Sequence, residues 1–404
     1  MTSTGSRLSG LECRACCSTA DADEVHGTCP TCGHALFATY DLAGFDARAW
    51  WDGLANRPAT LWRYAELLPV RSTGAITTLG EAVSPIVALG DVPEAPGLTV
   101  LAKDDGGLPT GSFKARGMAL AVSRARELGV PALFVPSAGN AGVALAAYAA
   151  RAGLPARIYL PERTPPSLVE HAAGFGAEVV RYPGTLREVG DAARRAEAGR
   201  GAFEMSTLRE PYRLEGKKTM GFEIAEAFRG PGGLPDAIVY PTGGGTGLVG
   251  MQKAFAELRA LGLVDRTPRL YAVQAVGCAP VVRALAEGAA RTEPWPEPAT
   301  VAPGLLVPAP FASERILEAV RASHGGGFAV DDRAIVAAMR ALARRHGRAV
   351  SPEAAAPYAA LPGLLDRGAI RPGETVLLYL TGSGLAFSAE ALAESWGPAP
   401  VASG

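Results

Sequence analysis

No stretch of this chain approaches the roughly 20 consecutive apolar residues needed to cross a bilayer. Residues 1–10 are polar and lack the apolar core of a secretory signal. Neither charge sign is in excess: 39 Lys and Arg stand against 40 Asp and Glu, for a net charge of −1. That balance argues against nucleic acid or an anionic membrane as partner. Cysteine is scarce, six in 404 residues, and four of the six are clustered, which argues against a disulfide scaffold. These absences lead us to expect a soluble, cytoplasmic protein. What is abundant is apolar material, 48% of the chain, enough for about two domains of ordinary size.

The clustered cysteines read Cys13-x-x-Cys16 and Cys29-x-x-Cys32, with Pro30 and Gly33 shaping the second turn. Two thiolate pairs on short turns are how a chain closes a tetrahedral zinc site. The segment between Leu11 and Leu36 has so few apolar residues that a metal staple is expected to fold it. A closed four-cysteine site leaves no position for catalysis. Cys17, His26 and His34 are the competing ligands. The three tryptophans Trp50, Trp51 and Trp62 are expected to be packing anchors.

Downstream, short β-branched runs alternate with amphipathic helical patterns. Strands are expected at 98–104, 132–135, 156–160, 178–182, 237–240, 270–276 and 375–380. Helices are expected at 119–128, 143–152, 167–175, 186–198 and 248–261. Such alternation predicts an α/β protein with parallel sheets wound by right-handed crossovers. In sheets of this kind, chemistry gathers at the carboxyl ends of strands. Residues 290–312, rich in Pro and Glu, are expected to form a surface excursion, and the tail from 397 to be frayed.

Four loops carry unusual chemistry. Pro109-Thr110-Gly111-Ser112-Phe113-Lys114-Ala115-Arg116-Gly117 sets a lysine at or just inside a helix N-terminus, where the helix dipole disfavours an ammonium. An amine so placed suits Schiff-base formation. Ser137-Ala138-Gly139-Asn140-Ala141-Gly142 pairs a glycine nest with an amide. Thr242-Gly243-Gly244-Gly245-Thr246-Gly247 follows a strand and opens a helix, as a phosphate cradle does. No Lys-Ser or Lys-Thr follows it, so it is not a nucleotide P-loop. Gly245, Gly247 and Gly250 match a dinucleotide fingerprint, but the next strand ends at Val276-Gly277 without an acid for a ribose hydroxyl. Thr381-Gly382-Ser383-Gly384 offers hydroxyls at the end of the last strand. A lysine for an aldehyde, a phosphate cradle, an amide for a ring oxygen and a hydroxyl for a ring nitrogen together describe pyridoxal 5′-phosphate.

With these residues in view, the chain resembles the threonine synthases, of the fold-type-II (tryptophan synthase β-like) group of pyridoxal-phosphate enzymes. The resemblance is carried by Lys103-Asp104-Asp105, residues 109–117, residues 137–142, Tyr212-Arg213-Leu214-Glu215-Gly216-Lys217-Lys218-Thr219, the Gly243 loop and the Thr381 turn. It implies two doubly wound parallel-sheet domains. The large one would span 46–117 and 225–396, with a small domain at 118–224 inserted, a zinc-ribbon-like segment at 1–45 and a disordered tail at 397–404. It implies that Lys114 forms the aldimine and that Phe113 lies against the ring. Asn140 would meet the ring oxygen, Gly243, Gly244, Gly245, Thr246 and Gly247 the phosphate, and Thr381 the ring nitrogen. Arg213, with Ser206 or Thr207, would anchor a substrate phosphate, and Ser84, Thr110 and Ser137 would line the carboxylate side. The implied reaction converts O-phospho-L-homoserine and water to L-threonine and phosphate by γ-elimination and β-addition, in a homodimer. A relative acting on another amino acid, by β-replacement on O-phosphoserine or as a dehydratase, is the alternative. Departures from the family pattern at Leu108, Ala115, Ala354 and Ala386 leave the cofactor assignment intact and bear on the substrate.

Overall fold

A computed structural model describes residues 2–137, 139–162, 164–229 and 233–386. Its chain divides into two compact units. The first comprises Met1–Val83, Lys114–Gly232 and Gly244–Thr267, and the second Ser84–Phe113, Gly233–Gly243 and Pro268–Gly404. The chain therefore changes unit between Phe113 and Lys114, inside the lysine motif, and between Gly243 and Gly244, inside the glycine loop. The expected frayed tail lies outside the described residues. Among the described residues no helix is long and apolar enough to cross a membrane.

The first unit opens with a small antiparallel sheet of β1 (Leu8–Cys13), β2 (Thr19–Ala20) and β3 (Leu36–Tyr40), in the order β2-β1-β3. Helix α1 (Ala47–Gly53) follows, capped by the Asp46 carboxylate on the Ala49 N–H, and buries Trp50 and Trp51 as expected of packing anchors. The second unit contributes β4 (Ile86–Ala88) and β5 (Thr99–Asp104). Back in the first unit come α2 (Lys114–Glu127), β6 (Ala132–Pro136), α3 (Asn140–Ala152), β7 (Ala156–Pro161), α4 (Pro166–Gly174), β8 (Glu178–Tyr182), α5 (Leu186–Glu197) and β9 (Ala202–Glu204). The four strands form an all-parallel sheet, β8-β7-β6-β9. Two helix termini follow local sequence signals. Thr185 and Glu188 close a capping box at the start of α5, and Gly153 takes the left-handed conformation (φ 69°) that ends α3.

Helix α6 (Tyr212–Ala227) had no amphipathic signature in the sequence. It is buried along nearly its whole length although it carries Arg213, Glu215, Lys217, Lys218 and Glu223. Two crossings make this possible. A Cβ on Gly216 would come within 2.0 Å of the Arg116 carbonyl of α2. A Cβ on Gly221 would meet Ala254 of α7 (Thr246–Ala260) at 2.6 Å. Backbones at these points touch, so only glycine fits. Glu223 is satisfied internally: the Arg116 guanidinium pairs with its carboxylate and donates to Thr219 Oγ1 at 3.0 Å.

In the second unit β10 (Ala237–Pro241), β11 (Arg269–Ala275), β12 (Gly326–Val330) and β13 (Thr375–Leu380) join β4 and β5 in the order β12-β11-β10-β13-β5-β4. All neighbours are parallel except β4, which runs antiparallel to β5. Its helices include α8 (Pro280–Ala286), α9 (Ser313–Ala322), α10 (Asp332–His346) and α11 (Pro352–Ala359). Val100, Val239, Val273, Ile335, Leu361 and Leu378 lie in one continuous core. The 290–312 segment is mostly irregular, as expected, but it is pinned: Ala302 and Leu305 are buried in that same core. Doubly wound parallel sheets in both units match the fold class expected from strand and helix spacing.

Candidate functional site

The four expected thiolates converge. Sγ atoms of Cys13, Cys16, Cys29 and Cys32 all lie within 4.8 Å of one another, with Cys13–Cys32 at 3.5 Å and Cys16–Cys29 at 3.6 Å. A tetrahedron with Zn–S bonds of about 2.3 Å has edges of about 3.8 Å, so the donor set fits zinc. The two turns are copies of each other. The Cys13 carbonyl accepts from the Cys17 N–H and the Cys29 carbonyl from the Gly33 N–H, each at 2.8 Å. Cys17 (φ 61°) and Gly33 (φ 75°) both take the left-handed conformation that closes the knuckle. Cys17 thus stands where the second knuckle has its glycine, and the nearby-ligand ambiguity it raised disappears. His34 Nδ1 lies 3.2 Å from the Cys32 carbonyl, and His26 faces Glu24.

In the first unit, Lys114 is the first residue of α2 and is half-buried. One turn on, Gly117 packs against α6: a Cβ there would meet the Arg213 carbonyl at 3.1 Å and the Arg213 Cβ at 3.4 Å. The structure therefore brings the turn headed by Lys114 against Arg213. The Arg213 side chain is buried; one Nη donates to the Met205 carbonyl at 2.5 Å, and its Nε has no partner among the described residues. The neighbouring Ser206 hydroxyl is likewise buried and unpartnered. Glu210, which sequence reading passed over, caps this end of α6. Its carboxylate accepts from the N–H groups of Tyr212 (2.7 Å) and Arg213 (3.0 Å). Burial pushes that carboxyl up to about 7, against the pull of Arg213, while burial also draws the Arg213 guanidinium below its ordinary value. Thr207 is brought against the glycine loop: a Cβ on Gly244 would meet its Cγ2 at 2.9 Å. Gly245 (φ 76°) precedes α7, whose first residues are Thr246 and Gly247, so the loop does end on a helix N-terminus.

Asn140 opens α3 at the carboxyl end of β6. The Ser137 hydroxyl is committed to this loop, accepting from the N–H groups of Gly139 (3.2 Å) and Gly142 (3.0 Å). Gly142 is the tight point here, since a Cβ would lie 2.6 Å from Ile158.

In the second unit, Phe113 and Thr381 are neighbours: the Phe113 N–H donates to the Thr381 carbonyl at 2.9 Å, and Ser112 bridges Gly382. The Phe113 ring meets Tyr240 edge-on at 6.2 Å; Tyr240 meets Tyr379 at 5.3 Å, and Tyr379 donates to Asp105 at 2.9 Å. Ser84 accepts from the buried Lys103 ammonium at 2.8 Å. Thr110 (φ 62°, ψ 19°) is a β-branched residue in the left-handed region, a strained conformation for such a side chain. Its hydroxyl and that of Ser112 are buried without partners among the described residues. Gly243 is closed in by the Gly304 carbonyl, 2.3 Å from where a Cβ would sit. In the first unit, glycines that leave no room for side chains at the start of α7 fit a bound phosphate ester such as pyridoxal 5′-phosphate.

Comparison with known proteins agrees. Residues 77–382 match the family described as pyridoxal-phosphate dependent enzyme. The chain is 33% identical to a threonine synthase of Methanocaldococcus jannaschii over 92% of both chains. It is 35% identical to a threonine synthase of Methanosarcina acetivorans over 92% of this chain and 91% of that one. Among solved structures, a threonine deaminase isoform of Solanum lycopersicum superimposes with a TM-score of 0.68 at 20% identity, covering 85% of this chain and 96% of that one, a likeness of fold. Strands, loops and relatives thus converge: this chain belongs to the pyridoxal-phosphate-dependent enzymes, as a lyase related to the threonine synthases.

Proposed function

We propose that the protein converts O-phospho-L-homoserine and water to L-threonine and phosphate. The observation that carries this reading is the buried Arg213 with an unpartnered Nε, beside the unpartnered Ser206 hydroxyl and against the helical turn that Lys114 heads. A second anion, distinct from the cofactor phosphate, is what these donors lack. The cofactor, when bound, supplies an electron sink for charge developing next to the substrate amine. Lys114 would hold it and would move protons, first off Cα, then off Cβ as phosphate leaves Cγ, and then onto Cγ. Gly243, Gly244, Gly245, Thr246 and Gly247 would hold the cofactor phosphate, Asn140 its ring oxygen and Thr381 its ring nitrogen, and Phe113 would pack beside it. Arg213, with Ser206 and Thr207, orients the leaving phosphate. Ser84, Thr110 and Ser137 line the side that takes the substrate carboxylate, with Ser84 oriented by Lys103. Water then adds at Cβ, giving its proton to the released phosphate, and Lys114 would return a proton to Cα.

The test is phosphate release and threonine formation across phosphorylated amino acids. Release from O-phosphohomoserine is expected to exceed that from O-phosphoserine, with no ammonia from threonine; the opposite order would sink the assignment. Arg213→Lys keeps the charge but loses the planar fork, and kcat/KM is expected to fall about 10²-fold with cofactor absorbance unchanged.

We further propose that the four cysteines hold one structural zinc. Metal analysis of purified protein is expected to find one zinc per chain, and none in Cys13→Ser/Cys29→Ser. Stoichiometric wild-type protein without zinc would overturn this.

A further inference from the structure

The reaction above assigns nothing to the segment Ser351-Pro352-Glu353-Ala354. It forms the first turn of α11, with the Ser351 hydroxyl accepting from the Ala354 N–H at 3.4 Å. The Ser351 N–H donates to the Gly382 carbonyl at 3.0 Å, next to Thr381. Two residues on, Glu353 Oε1 accepts from the Gly304 N–H at 2.6 Å. Gly304 is pressed between two groups. A Cβ on it would meet the Glu353 side chain at 2.9 Å, and its own carbonyl blocks the space over Gly243. The contacts run in one line, from Glu353 through Gly304 to the first glycine of the phosphate loop. The second carboxylate oxygen of Glu353 is buried with no partner among the described residues. A buried, half-satisfied carboxylate costs stability, so packing alone gives no reason for it.

We propose that Glu353 is a positioning residue for the cofactor: it fixes Gly304, and through it Gly243, while Ser351 on the same turn fixes the Thr381 strand end. One helical turn thereby sets both the phosphate contact and the ring-nitrogen contact. The inference rests on the reading of Gly243 and Thr381 as cofactor contacts.

Apoenzyme is titrated with pyridoxal 5′-phosphate by absorbance, and the phosphorus NMR shift of the bound cofactor is recorded. Glu353→Ala removes the acceptor for Gly304, and cofactor affinity is expected to weaken at least about tenfold with a shifted phosphorus signal. Glu353→Gln still offers an oxygen to the Gly304 N–H, and is expected to bind within about threefold of wild type. Glu353→Asp, one methylene too short, serves if the alanine variant does not fold, and is expected to behave like it. Wild-type affinity and phosphorus shift in Glu353→Ala or Glu353→Asp would overturn the proposal, as would a glutamine variant as impaired as alanine. If wild-type phosphorus signal itself showed no environment change on binding, the reading of the glycine loop would fail first, which separates the two.

Discussion

Lys114→Ala is expected to lower turnover by at least about 10³-fold, because under the proposed function a covalent anchor and a proton carrier are lost together. The absorbance band of lysine-bound cofactor should vanish as well, even where cofactor still binds. The fold should survive: Lys114 is the first residue of α2 and only half-buried, and alanine is the strongest helix former. The melting temperature of the apoprotein is therefore expected to stay within a few degrees, consistent with a change of about 1 kcal/mol or less. A variant that kept the wild-type spectrum would show that another amine holds the cofactor. Lys103, Lys217 and Lys218, also buried, would be the residues to examine next.

The second large effect concerns stability. Glu215 of α6 is fully buried and its carboxylate is the hub of a charged cluster. It takes the Lys218 and Lys253 ammonium groups, each at 2.6 Å, and the Tyr40 hydroxyl at 2.7 Å. Glu257 lies on the far side of both lysines, at 3.0 and 3.1 Å. Lys253 also donates to the Ala38 carbonyl, so the cluster ties α6 and α7 to strand β3 of the cysteine-bearing sheet. Glu215→Ala leaves two buried cations facing one carboxylate. Breaking a buried pair in this way costs about 3–5 kcal/mol, which for a chain of this size lowers the melting temperature by roughly 5 °C.

The pH dependence of that loss has a definite sign. Burial alone would raise the Glu215 carboxyl, but Lys218 and Lys253 outweigh it and hold the group below its ordinary value of 4.5. A carboxylate depressed in the folded state contributes stability that is present above its unfolded value and is lost as pH falls through its folded value. The gap between wild type and Glu215→Ala is therefore expected to be full at neutral pH and to shrink below about pH 4.5. A melting temperature within 2 °C of wild type at neutral pH, or a gap that grew in acid, would refute this account of the cluster.

Particular residues show how far sequence reading reached. The pairing of Cys13 and Cys16 with Cys29 and Cys32 was legible because ligand spacing on a short turn is local geometry. The role of Cys17 was not, because nothing in its neighbours distinguishes a spare thiol from a residue forced to φ 61°. Strands β5, β6, β7, β8, β10, β11 and β13 were legible as short β-branched runs, whereas β12, Gly326–Val330, begins with two glycines and was missed. Helix α6 was missed for the opposite reason: its charges are spread around every face, so no apolar stripe marks it.

What the sequence by itself determined was local: which turns could bind metal or phosphate, where strands alternate with helices, and which lysine stands at a helix start. Those features follow from spacings of two to eight residues, and backbone chemistry at that range leaves few alternatives. Tertiary structure alone decided which charges could be buried. Glu215 meets Tyr40 from 175 positions away, Arg116 meets Glu223 from 107, and Glu353 meets Gly304 from 49. A buried ionic group is tolerable only when its counter-groups arrive in place, and no window of sequence contains both partners.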